Sequence, residues 1–190
     1  MDSLLLQIFN IVTGVAMLLL FIRFMMQLTQ VDPYNPIVMS TIQATRVVDI
    51  FNRILPTVGQ GRVNLAALGL MVLVRLVDLA GNHLLNGVTD FGPNVLLLQL
   101  IFGLLDDFLM MCKVLIYVSI ISSLVLMFTQ NNTPIIMLAM QMTEPLYAPF
   151  RRFMPDLGPL DLSPIVALLA IYIARAMLMQ AHVILLQGLM

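Results

Sequence analysis

The 190-residue chain is 61% hydrophobic and only 10% charged, with a mean hydropathy of +1.01. Soluble domains average about 45–50% apolar with glycine included and about 25% charged, which all but excludes a water-soluble globular enzyme. Nine Lys and Arg against ten Asp and Glu leave a net charge of -1, without the basic surplus that nucleic-acid binding needs.

A helix needs about 20 mainly apolar residues to cross roughly 30 Å of hydrocarbon. The first such stretch is 4–28, entered directly from Met1-Asp2-Ser3. It lacks the positive n-region and small-residue cleavage site of a signal peptide, so it reads as an uncleaved span. After it, Asn35-Pro36 supplies an N-cap and a proline at the first helical position. Ala44, Val47, Val48, Phe51, Ile54 and Leu55 then form one apolar stripe opposite Thr45, Arg46, Asp49, Asn52 and Arg53. This predicts a membrane-surface helix over 36–55.

The second span is 63–85, interrupted by Arg75 and Asp78, and Gly59-Gln60-Gly61 before it reads as a turn. From Val95 to Phe128 the chain is apolar except for Gln99, Asp106, Asp107, Lys113 and a few hydroxyls. One helix over that length would reach about 50 Å at 1.5 Å per residue. The expectation is therefore a third span over 107–128, with 94–105 as an interfacial or tilted extension that leaves the carboxylates at the hydrocarbon edge. Thr133-Pro134 starts a second surface helix over 134–154, which Pro145 and Pro149 should break. The fourth span is 164–186.

At an offset of 98, Pro36, Ile37, Met39, Gln43 and Thr45 meet Pro134, Ile135, Met137, Gln141 and Thr143. One inserted residue then pairs Phe51 with Phe150, Arg53 with Arg152, Pro56 with Pro155 and Gly59 with Gly158. A second insertion pairs Arg75 with Arg175. The expected architecture is all-α and integral to the membrane, with two parallel repeats, 1–90 and 91–190, each made of a span, a surface helix and a span. Arg46, Arg53, Arg62, Arg151 and Arg152 all lie in the two loops that carry surface helices, so the positive-inside rule places these loops in the cytoplasm and both termini outside.

The segment from Thr143 to Pro164 resembles the motif of the YggT (YlmG) family, T-x-P-x-x-x-P-x-R-R-x-x-P-x-x-G-x-x-D-x-S-P give or take a position. The matching residues are Pro145, Pro149, Arg151, Arg152, Pro155, Gly158, Asp161, Ser163 and Pro164. The first half keeps Thr45, Arg53, Pro56 and Gly59 and loses the two early prolines and the D-x-S-P end, so the second half is the likelier binder. The resemblance implies a small membrane protein of the bacterial inner membrane with no known catalytic reaction. Family members are linked to cytochrome-complex assembly in chloroplasts, to cell division or nucleoid distribution, and to osmotic tolerance.

The ionisable residues inside the spans are functional candidates by default. Asp78 and Lys113 both lie about 22 Å from the cytoplasmic ends at 1.5 Å per residue, which predicts that they approach one another, and Arg75 and Arg175 share a height of about 18 Å. Asp106 and Asp107 are expected within reach of His182. The set is either a polar path for an ion or proton or a group of interhelical pairs that pin the bundle. Arg151-Arg152 contact either anionic headgroups or a partner's acidic patch. Cys112, His83 and His182 have no metal-ligand spacing, and no cofactor or metal is expected. The resulting expectation is a scaffold or assembly factor in the bilayer, with a membrane-protein partner or a second copy. Osmotic regulation or small-ion transport through the buried charges is the alternative.

Overall fold

The computed structural model describes residues 2–86, 92–129, 133–152 and 162–189. The elements in order are helix α1 (Asp2–Leu28), α2 (Pro36–Ala44), α3 (Val47–Phe51), strands β1 (Thr57–Val58) and β2 (Val63–Asn64), then α4 (Leu65–Leu85), α5 (Pro93–Thr129), α6 (Pro134–Arg151) and α7 (Ser163–Leu189). Four stretches are long and apolar enough to cross a membrane: Leu4–Leu28, Leu65–Leu85, Pro93–Thr129 and Ser163–Gly188.

Helix starts follow their caps. The Asn35 side chain accepts from the Ile37 amide at 3.0 Å, with Pro36 at the first helical position. Asn64, fully buried, accepts from the Ala67 amide at 2.9 Å and donates to Gln27 Oε1 at 2.6 Å, which ties the start of α4 to α1. The minimal hairpin before it pairs Thr57 with Asn64 and Val58 with Val63. Its turn holds Gly59, Gln60 and Gly61 at φ +66, +59 and +83, a left-handed run that glycine adopts without steric cost.

Three expectations about helix boundaries need correction. The stretch 36–55 is not one helix, because it breaks at Thr45–Arg46 and ends at Phe51. The Thr45 hydroxyl donates to the Thr41 carbonyl at 2.6 Å and the Val48 amide bonds to the Thr45 carbonyl at 2.9 Å. Back-bonding by threonine and a run of β-branched residues favour such a tightened turn. Conversely, α6 is not broken but runs through Pro145 and Pro149. Its buried face, Ile136, Ala139, Met142, Thr143 and Tyr147, is held by packing, chiefly on α5, while both prolines stand on the exposed face. The carbonyls freed at Gln141 and Pro145 therefore lie toward solvent, and packing overrides propensity.

The third span is also continuous from Pro93, about 55 Å long at 1.5 Å per residue. No breaker interrupts it, and arginines from other helices pair Asp106 and Asp107, so the carboxylates need not sit at the hydrocarbon edge. α1 packs on α4, α5 on α6 and α7, and α4 on α5. α2 touches α6, where Asn35 Nδ2 donates to the Pro134 carbonyl at 3.2 Å.

The apolar core gathers toward the end of the bundle that carries the surface helices. Phe21, Met25, Val48, Ala66 and Met71 are buried there, and Phe108 meets Phe21 edge-on at 5.3 Å. The opposite half is looser and holds the polar clefts described next.

Candidate functional site

Arg175 of α7 forms a two-pronged ion pair with Asp106 of α5, Nε to Oδ1 at 2.7 Å and Nη2 to Oδ2 at 2.8 Å. Such fork geometry is among the strongest side-chain contacts. Arg75 of α4 serves two carboxylates, Asp78 on its own helix at 3.1 Å and Asp107 of α5 at 3.2 Å. Asp78 also accepts from Thr13 of α1 at 2.8 Å and from Asn82 at 3.2 Å. All four spans are thus joined at one polar layer. The adjacent carboxylates of α5 face opposite ways, Asp107 to α4 and Asp106 to α7.

The guanidinium of Arg75 lies directly against the α5 backbone at Gly103, where a Cβ would collide with its Nη2 and Nε. Gly103 stands one turn before Asp107 on the same helix face, a spacing that in hindsight marks a seat for the guanidinium. Thr13, Asn82 and Gly103 were not among the residues singled out from sequence.

Asp78 and Lys113 do not meet, contrary to the expectation from their equal heights. The Lys113 ammonium lies over the Tyr172 ring, 5.3 Å from its centroid, and Asp78 is engaged by Arg75. Asp107 is the α5 residue level with Arg75 and Asp78, and Lys113 stands six residues further on, about 9 Å along the axis, against α7 rather than α4. His182 likewise makes no ion pair with Asp106 or Asp107. It stacks on Phe102 at 5.1 Å and 11°, and its buried Nε2 has no hydrogen-bond partner. His83 Nε2 lies 3.2 Å from Gln99 Oε1.

Two clefts flank this layer. One of about 450 Å³ is lined by α4, α5 and α7, including Arg75, Asn82, Gln99, Asp106 and His182. The other, of about 300 Å³, is lined by Asn10, Thr13, Asp78 and Asp107 among others. Arg75, Asp78 and Asn82 belong to both walls. Among the described residues no group of three His, Cys, Asp or Glu is placed to hold a metal ion, and Cys112 is a buried free thiol.

At the other end, the motif residues divide. Pro145, Pro149, Arg151 and Arg152 are exposed on α6 and its C-terminus, and Arg151 pairs with Glu144 at 2.7 Å. Ser163 is buried and Pro164 half-buried at the start of α7. Pro155, Gly158 and Asp161 lie outside the described residues. Thr143, which heads the motif, is fully buried, with its hydroxyl 2.9 Å from Ser119 Oγ, 3.1 Å from the Ala139 carbonyl and 2.9 Å from that of Met140. Thr143→Val should destabilise the protein by about 1–3 kcal/mol, the cost of orphaning a buried polar partner. Adding Ser119→Ala should recover part of it, as read by detergent-denaturant titration followed by ellipticity.

Four long apolar helices joined in one layer by ion pairs and hydrogen bonds, with the shorter helices gathered at one end, define a multi-pass membrane protein. Comparison with known proteins refines this. The family model described as CCB3/YggT matches residues 87–182, the half in which the motif is intact. An uncharacterized protein of Pseudomonas aeruginosa is 33% identical, over 82% of this chain and 78% of that relative. A Haemophilus influenzae protein is 31% identical over 80% and 78%, and YggT of Escherichia coli K12 is 26% identical over 82% and 79%. No solved structure matches the chain. The chain belongs to the CCB3/YggT family.

Proposed function

We propose that this chain is a non-enzymatic scaffold or assembly factor for a complex of the bacterial inner membrane. The observation that carries the reading is the closure of the charge layer. Arg75 and Arg175 between them engage Asp78, Asp106 and Asp107, so the polar groups at membrane depth hold helices together rather than await cargo. Motif residues Pro145, Pro149, Arg151 and Arg152 are meanwhile presented outward on a helix fixed from behind. A surface of conformationally restricted residues and two guanidinium groups suits a partner's acidic patch or anionic headgroups.

In this reading the chain is two parallel repeats, 1–90 and 91–190, with the surface helices in the cytoplasm and both termini outside. Several features support the repeat. Thr45 and Thr143 are both buried and both place their hydroxyls at the carbonyl four residues back. Pro36 and Pro134, paired at the same offset, each stand at the start of a surface helix. The arginines in the surface-helix loops support the orientation.

The clefts beside Arg75 favour a second reading, passage of a small ion or osmotic regulation through the layer. One experiment separates the two. The tagged chain is purified from its own membrane after mild cross-linking, beside Arg151→Ala/Arg152→Ala, and the same preparations are reconstituted for liposome flux with Asp78→Asn as control. The scaffold reading expects a stoichiometric membrane protein lost in the double variant and flux indistinguishable from empty liposomes. No partner, together with flux abolished by Asp78→Asn, would establish the transport reading.

A further inference from the structure

Of the charges on α4, α5 and α7, Lys113 is the one that no described carboxylate meets within ion-pair distance. It rests on the Tyr172 ring, and the Tyr172 hydroxyl is 2.9 Å from that of Tyr117. The two tyrosines are not enclosed by the bundle, for Tyr172 is 50% and Tyr117 39% exposed, flanked by exposed Val114, Ile121, Leu169 and Ile173, while Lys113 between them is half-buried. Nor do they lie at a membrane edge. Tyr172 stands nine residues into α7, about 14 Å at 1.5 Å per residue, close to the middle of a roughly 30 Å core. A half-buried cation beside two exposed tyrosines at that depth would border hydrocarbon, and ionisable groups in membranes face protein or water and take a partner of opposite charge.

We infer that this outward face of α5 and α7 docks a transmembrane helix of another protein that carries a carboxylate near mid-bilayer. Lys113 is then its counter-ion, with the hydroxyls of Tyr117 and Tyr172 as hydrogen-bonding groups beside it. The inference rests on the scaffold reading and gives the partner a chemistry and a seat. A second copy of this chain fits poorly, since the described carboxylates at membrane depth, Asp78, Asp106 and Asp107, are each already held by an arginine. A lipid phosphate stays at headgroup depth, out of reach of an ammonium held over Tyr172.

The test reconstitutes the labelled full chain in liposomes and measures energy transfer to synthetic Leu/Ala transmembrane peptides with Glu, Gln, Leu or Lys at the central position. The Glu peptide should bind at least tenfold more tightly than the Gln or Leu peptide. Lys113→Met should abolish that preference, Lys113→Arg should keep it, and Lys113→Glu should transfer it to the Lys peptide. The charge swap decides the matter if the methionine variant fails to fold. Equal binding of the Glu and Leu peptides by folded wild-type chain, or a Glu preference that survives Lys113→Met, overturns the inference. Energy transfer between two copies of the chain that Lys113→Met abolishes also overturns it, by assigning the face to self-assembly. If the peptides fail while a partner still co-purifies through Arg151 and Arg152, the seat falls and the scaffold stands.

Discussion

Replacing Arg75 with methionine is expected to destabilise the folded chain by about 3 kcal/mol, the lower end of the cost of breaking a buried ion pair by removing one partner. The loss comes less from the missing attraction than from what is left behind. Asp78 and Asp107 both depend on this one guanidinium, at 3.1 and 3.2 Å, and without it two carboxylates stand uncompensated at membrane depth. The clefts on either side admit some solvent, which keeps the cost at the lower end. Arg75→Lys should fall between, since an ammonium lacks the planar fork that reaches two acceptors on different helices. Arg75→Met/Asp78→Asn/Asp107→Asn should recover most of the loss, because no charge remains to be stranded. Unfolding by sodium dodecyl sulfate in mixed micelles, followed by far-ultraviolet ellipticity since the chain has no Trp, measures all three variants against the wild-type chain. A triple variant as unstable as Arg75→Met would show that the guanidinium acts through packing alone.

The same layer shows what a sequence of this kind discloses. The extent of the spans is readable, because hydrophobic length acts along the helix axis. The expected spans 4–28, 63–85 and 164–186 lie within two residues of the helical stretches Leu4–Leu28, Leu65–Leu85 and Ser163–Gly188. Azimuth was not readable, because it is set by which neighbours pack, and helices that are apolar on every side carry little periodic signal. Lys113 and Asp78 share neither height nor neighbour, because α5 is much longer than α4 and it is Asp107, six residues before Lys113, that stands level with Asp78. Neighbouring carboxylates on α5 turn to opposite helices, a split visible only once α4 and α7 are known to flank α5.

Local rules misjudged the two surface helices in opposite directions. Proline was weighed by its missing donor, yet Pro145 and Pro149 fall on the exposed face of α6, where the freed carbonyls reach solvent. The first segment, with no proline between Pro36 and Pro56, reads as continuous in sequence and breaks at Thr45. In both cases contact with the bundle outweighed intrinsic preference. The helix that carries the third span is continuous from Pro93 to Thr129, and Arg75 and Arg175 neutralise its paired aspartates where they stand. Gly103, a lone glycine in a long apolar run, gave a weaker signal than any charge, although the seating of Arg75 depends on it.

Gly103→Ala should therefore behave unlike an ordinary glycine replacement in a helix. Alanine is the better helix former by about 1 kcal/mol, and in an unconstrained helix interior the substitution would stabilise. Here the added methyl would occupy the space of Nη2, Nε and Cζ of Arg75. A free arginine tip would move aside cheaply, but this one is fixed by Asp78 and Asp107, so yielding means lengthening both ion pairs. The expected net effect is destabilisation by about 1–2 kcal/mol, within the range for overpacking a filled site. The sign should reverse where the guanidinium is absent, so that in an Arg75→Met background Gly103→Ala stabilises by up to about 1 kcal/mol. The double-mutant cycle, read by the same micellar unfolding titration, should then give a coupling of about 2–3 kcal/mol between residues on different spans. Additive effects would mean that Arg75 leaves Gly103 without cost.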